Sequence, residues 1–129
     1  MIKRSQLNAD SLLVGYPVKL YFDIDICLES NIGIDCQQIV NNLIKIFAEQ
    51  CMKSFNITCS DDDIIVLKSY STLKGSYHVV FRNVVFANNS VCKRFICDTV
   101  NNLGVDTKRG IEVKDKRGTS CFAFDQGIY

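Results

Sequence analysis

Three short stretches of this chain carry residues suited to chemistry: Asp23-Ile24-Asp25, Ser76-Tyr77-His78, and Asp125 at the end of Phe122-Ala123-Phe124-Asp125. Each lies where apolar and polar residues alternate, as in a strand buried on one face. In the first, Val18, Leu20, Phe22, Ile24 and Ile26 share a face, so Asp23 and Asp25 both point the other way. In the second, Tyr77, Val79 and Phe81 take the apolar side and leave Ser76 and His78 opposite. In the third, Phe122 and Phe124 turn inward and Asp125 outward. If the three strands are neighbours, three carboxylates, a hydroxyl and an imidazole meet on one open face. That set suits metal-dependent phosphoryl transfer.

The chemical reason is charge. Transfer of a nucleotidyl group needs the attacking oxygen and the leaving pyrophosphate held in line with their negative charge neutralised. Two Mg²⁺ or Mn²⁺ ions about 4 Å apart do this, and such hard cations prefer carboxylate oxygens. Asp23, Asp25 and Asp125 could form that clamp, and Lys74 precedes Ser76 and His78 in a segment that reads as a triphosphate grip. Taken singly, each feature has a plainer explanation. Acidic residues are common on solvated sheet faces, a lone histidine is usually a satisfied polar group, and Asp125 could simply start a turn with Gly127. Their agreement on one face favours chemistry.

Those residues need elements to hold them. Val18 to Cys27 reads as a first strand and Glu29 to Ile34 as a loop. Asp35 with Gln38 resembles a capping box opening a helix along Ile39, Leu43, Phe47 and Cys51 towards Phe55. Ser60 to Asp63 breaks the pattern, and the Asp61-Asp62-Asp63 run is expected to be a local cap or turn. Strands follow over Ile64 to Lys68 and Gly75 to Arg82. Asn88-Asn89-Ser90 can cap a second helix through Phe95, Ile96, Val100 and Leu103, with Gly104 as a left-handed C-terminal cap. A short strand over Ile111 to Lys114, a hairpin at Arg117-Gly118 and a last strand from Thr119 to Asp125 complete the chain. Lys108, Arg109, Lys114, Lys116 and Arg117 form a basic cluster, expected to be a solvated hairpin rather than a nucleic-acid contact.

The order strand–helix–strand–strand–helix–strand is that of a ferredoxin-like α+β fold, shared with RNA-recognition domains and polymerase palms. It predicts a four- or five-stranded, mainly antiparallel sheet with two helices on one face. The first strand should lie between the third and the last, the three that carry the polar residues.

Bulk properties set the outer bounds. At 129 residues and 47% hydrophobic, the chain suits a single domain with an adequate core, residues 1–16 being a lead segment. A net charge of +1 says little by itself; a broad phosphate-binding surface is usually more basic, so any nucleic-acid contact is expected to be local or supplied by further sequence. No apolar run reaches the roughly 18 residues of a membrane span, and the start lacks an apolar signal core, so secretion is not expected. The seven cysteines are odd in number and never spaced C-x-x-C, which fits buried thiols in a reducing, intracellular compartment better than disulfides or a zinc site.

The three stretches, in order and with their spacing, resemble the motifs of the archaeo-eukaryotic primase superfamily, most closely the eukaryotic primase-polymerases. Lys19-Leu20-Tyr21-Phe22-Asp23-Ile24-Asp25 is similar to the first motif, Lys74-Gly75-Ser76-Tyr77-His78 to the second, and Phe124-Asp125-Gln126-Gly127-Ile128-Tyr129 to the third. The resemblance covers roughly Pro17 to the end. It implies a palm fold that adds nucleotides on a DNA template, single-stranded or primed, in replication or damage tolerance. It also implies two catalytic Mn²⁺ or Mg²⁺ ions on Asp23, Asp25 and Asp125, and a nucleoside triphosphate held by Lys74, Ser76 and His78. A monomer in the nucleus or mitochondrion of a eukaryote is expected on the same basis. Two positions depart from the family pattern: Asp25 stands where glutamate is usual, and Tyr77 where arginine is frequent. Family members continue beyond the third motif into an Arg/Asn-rich phosphate-holding stretch and carry N-terminal helical and C-terminal zinc modules, so this sequence is expected to be a partial catalytic core.

Two rivals differ in kind. A non-catalytic nucleic-acid-binding module of the same topology would stack bases on outward aromatic residues of its central strands. Here those positions hold Asp23, Asp25, Ser76 and His78, while Tyr77 and Phe81 face the helices. A degenerate palm serving as a scaffold is the other.

Overall fold

The computed structural model describes residues 16–129; the lead over residues 1–15 lies outside them. The alternating segment forms β1 (Val18–Cys27) with the bounds that its pattern predicts. Its apolar side is fully buried at Leu20, Ile24 and Ile26, and Phe22 is nearly so. Helix α1 (Cys36–Phe55) follows, and the Asp35 carboxylate caps it by accepting from the Gln38 amide at 3.1 Å. Its buried stripe of Ile39, Val40, Leu43, Phe47 and Cys51 packs on the sheet. Asn56, in the left-handed conformation (φ 56°), ends it.

A 3₁₀ turn at Asp61–Asp63 bears out the local reading of that acidic run. The Asp63 carboxylate accepts from both the amide and the hydroxyl of Ser60 at 2.9 Å, and these bonds hold its pKa below the ordinary carboxylate value. β2 (Ile64–Tyr70) and β3 (Lys74–Phe86) form a hairpin, and β3 also pairs antiparallel with β1, giving the order β1-β3-β2. Helix α2 (Asn89–Asn101) is capped by Asn88 as expected and buries Cys92, Ile96 and Val100 against the same sheet face.

Here the structure departs from the sequence reading. Gly104 is not a left-handed cap: its φ is −67°, and it opens an additional short helix, α3 (Val105–Arg109), accepting from the Lys108 amide. The last strand is not continuous either. β4 (Glu112–Lys114) and β5 (Ser120–Phe122) form a separate two-stranded ribbon turning at Gly118 (φ 80°). The chain then bends at Ala123 and touches β1 through one bridge, Ile24 to Phe124. The cause is apolar demand. Ala123 and Phe124 are both buried, which consecutive residues of a flat strand cannot manage on one face.

The five antiparallel strands are therefore split three and two, in an α+β fold. Phe22 ties the parts together, its ring lying 4.6 Å from that of Phe47 on α1 and 5.4 Å from Phe124. Burying a ring of this size contributes about 1.5–3 kcal/mol. Within the sheet, the buried hydroxyl of Tyr77 is hydrogen-bonded to that of Tyr70, so its one polar atom is not stranded. All seven cysteines are free thiols, and no helix among the described residues is long and apolar enough to cross a membrane.

Candidate active site

The open face of β1 and β3 is set by register. Asp23 pairs with His78, Asp25 with Ser76, and Cys27 with Lys74. Directly paired residues stand about 4.5–5.5 Å apart on the same face. The Ser76 hydroxyl donates to Asp25 Oδ1 at 2.6 Å, Lys74 Nζ lies 3.5 Å from the same oxygen, and His78 Nδ1 is 3.6 Å from Asp23 Oδ1.

The bridge from the C-terminal segment completes the row. The Asp125 amide donates to the Asp23 carbonyl at 2.9 Å, and the Asp25 amide donates to the Ala123 carbonyl at 3.2 Å. These bonds flank the Ile24–Phe124 pair, so Asp125 stands across from Asp23 and Ala123 across from Asp25. Asp23 thus has His78 on one side and Asp125 on the other. All six residues singled out in the sequence are brought to one face.

These side chains are half-exposed, and exposed ion pairs contribute at most about 1 kcal/mol each. Stability does not account for the arrangement. Crowding carboxylates costs energy unless a cation offsets it.

As donors, Asp23, Asp25 and Asp125 fit a hard divalent cation, offering only oxygen. Their side chains as placed do not close around one: among the described residues, no three His, Cys, Asp or Glu groups converge as a metal cluster. The Asp125 carboxylate instead accepts from the Gly127 amide at 2.8 Å, capping a terminal 3₁₀ turn (Gln126–Ile128). The turn reading of Asp125 is therefore also realised.

Several contributors had no local signal. Tyr21 lies on the same face as Asp23, two residues along. Its hydroxyl donates to the Ile128 carbonyl at 3.2 Å, while the Tyr129 hydroxyl donates to the Tyr21 carbonyl and the two rings lie 5.0 Å apart. Burial pushes the Tyr129 phenol well above its ordinary pKa. This clasp closes the Asp23 end of the row. Strict alternation along β1 puts Tyr21 on that face, but its partner is 108 residues away. The other end is open: a cleft of about 740 Å³ begins at Asp25 and Lys74 and reaches the β4–β5 ribbon. Tyr77 and Phe81, expected on the apolar side of β3, are both fully buried. The outward positions of β1 and β3 at the site are acidic or polar, not the stacking platform of an RNA-recognition domain.

The chain is 34% identical over 92 residues to the DNA-directed primase/polymerase protein of Danio rerio, which is 70% of this chain and 18% of that protein. Against the proteins of the same name from Mus musculus and Homo sapiens it is 32% identical over 80 and 73 residues, 60% and 55% of this chain and 15% and 13% of theirs. This chain is related to the primase-polymerases. The matched part spans less than a fifth of these relatives' length. No family model matches it.

Proposed function

We propose that this chain is the palm portion of a DNA-directed primase/polymerase, a nucleotidyltransferase acting on nucleoside triphosphates and a DNA template in replication or damage tolerance. The observation that carries the reading is the register placing His78, Asp23 and Asp125 in one cross-strand row and Ser76 with Asp25 in the next. In this reading Asp23, Asp25 and Asp125 hold two Mn²⁺ or Mg²⁺ ions. Bound there, the ions would supply charge neutralisation for the attacking and leaving oxygens.

The remaining roles belong to the chain's own side chains. Lys74, within 3.5 Å of Asp25, presents an ammonium to phosphate oxygens at the mouth of the cleft. Ser76, held by its donation to Asp25, orients that carboxylate and leaves its oxygen lone pairs towards the open face. His78, exposed beside Asp23, can donate to a phosphate or sugar oxygen from the ring nitrogen not facing Asp23. The Tyr21–Tyr129 clasp holds the segment bearing Asp125 against β1.

A second reading, a degenerate palm that acts as a nucleic-acid-binding or scaffold module, draws on one observation: the Asp125 carboxylate is engaged by the Gly127 amide. Calorimetric titration of the chain with Mn²⁺ and a non-hydrolysable deoxynucleoside triphosphate separates the two. Binding that requires the metal and is lost in Asp23→Asn supports the catalytic reading. Absence of nucleotide binding with metal present, or metal-independent binding of single-stranded DNA alone, favours the second.

A further inference from the structure

The cleft beyond Asp25 is not explained by the carboxylate row. One wall is the end of β1 and the start of β3, with Asp25, Cys27 and Lys74. The other is the β4–β5 ribbon, with Val113, Lys114, Lys116 and Cys121. Its origin is the bend at Ala123. An antiparallel strand in register with the Ile24–Phe124 bridge would place Cys121 against Cys27. The ribbon instead pairs internally, Cys121 with Val113, and the gap that opens is the cleft.

The far wall is fixed in place. Asn31, in the loop after β1, donates through Nδ2 to the Cys27 carbonyl at 2.7 Å and to the Lys114 carbonyl at 2.8 Å, and its Oδ1 accepts from the Lys114 amide at 2.9 Å. One side chain thus ties the ribbon to the end of β1. At the ribbon's turn, Asp115 Oδ1 accepts from the amides of Arg117 and Thr119. That carboxylate is used by the turn, as Asp25 is used by Ser76 and Lys74. Among the described residues the ammonium groups of Lys114 and Lys116 form no ion pair with a carboxylate, and the cleft lining also carries the carboxylates of Asp25, Glu29 and Asp115.

We propose that Lys114 and Lys116 of the ribbon bind the β- and γ-phosphates of the nucleoside triphosphate, with Lys74 as the inner contact. The inference rests on the palm reading of the carboxylate row. Given that reading, direction follows from the two ends of the row. The Tyr21–Tyr129 clasp blocks one end, and the cleft, with three lysines, opens at the other. A polyanionic tail leaving the carboxylates has cationic partners on that side. The volume, about 740 Å³, lies within the range of small-molecule sites and leaves room for a hydrated tail. Lysine ammonium groups bind phosphate as mobile point charges, which suits a tail that must leave as pyrophosphate.

The test compares wild type with Lys114→Ala/Lys116→Ala, each titrated in Mn²⁺ with a non-hydrolysable deoxynucleoside triphosphate and with the corresponding monophosphate. Two exposed charge-assisted contacts predict about a tenfold loss of triphosphate affinity. Monophosphate affinity and the melting temperature should not change. Equal triphosphate affinity in both proteins overturns the proposal. So does an equal loss for triphosphate and monophosphate, or a loss confined to single-stranded DNA, which would make the ribbon a strand contact. If wild type binds neither nucleotide in Mn²⁺, the palm reading itself fails, and this inference falls with it.

Discussion

Asp125 has two jobs that can be separated by one atom. Its carboxylate caps the terminal 3₁₀ turn through the Gly127 amide, and its charge stands across β1 from Asp23. Asp125→Ala removes both, Asp125→Asn only the charge, because the amide oxygen still accepts. Loss of such a cap costs about 1 kcal/mol, which for a domain of this size lowers Tm by about 3–5 °C. Like charges directly opposed across strands destabilise by about 0.2–1 kcal/mol, so Asp125→Asn should leave the metal-free protein as stable as wild type or slightly more so. Metal reverses the ranking. At a Mn²⁺ concentration 100-fold above Kd, binding adds about 2.7 kcal/mol to the folded state, a rise in Tm of about 10 °C. Wild type should show that rise in differential scanning calorimetry, and both variants should lose most of it. A wild-type Mn²⁺ response in Asp125→Asn, with destabilisation in Asp125→Ala alone, would refute the metal role and leave Asp125 a turn cap.

Two further predictions concern the structure around the site. Burial pushes the Cys51 thiol up to about 12 and Cys92 up to about 11, whereas hydrogen bonding to Ser30 lowers that of Cys27; iodoacetamide at pH 8 should therefore label Cys27 first and spare Cys51 and Cys92 in the native protein, and mass spectrometry showing Cys51 labelled as fast as Cys27 would contradict the core packing. Asn31→Ala removes three hydrogen bonds that link the ribbon to β1, so it should cost about 1–3 kcal/mol and speed hydrogen exchange at the Lys114 amide; unchanged exchange would mean that the ribbon is held without it.

How much of this was legible follows from the range of each interaction. β1 could be read from end to end because both its faces obey period two, and α1 because Asp35 marks its start and an apolar stripe its body. The six candidate residues could be placed on one face because strand alternation fixes which way a side chain points before any partner is known. Gly104 was misread because a glycine after an apolar stripe signals a cap only when the chain turns left-handed there; here it runs extended into α3. Asn31 and Tyr129 were invisible for another reason. Lys114 lies 83 residues from Asn31 and Tyr21 lies 108 from Tyr129, and nothing in their neighbours records that distance.

The last strand shows how the two kinds of information interact. Its alternation predicts a regular strand beside β1, and regular pairing would have closed the gap between Cys27 and Cys121. The core needs Ala123 and Phe124 together, with Phe124 against Phe22 and Phe47. Meeting that need bends the chain, limits pairing with β1 to one bridge, and leaves β5 to pair with β4. The same packing that sets Asp125 across from Asp23 therefore opens the cleft next to Asp25. Phe124 couples the two: its ring is anchored in the core, and the hydrogen bonds flanking it hold the register of the carboxylates. The carboxylate row follows from ordinary strand register and the cleft from the departure at Ala123, which is why local pattern alone finds the first and misses the second.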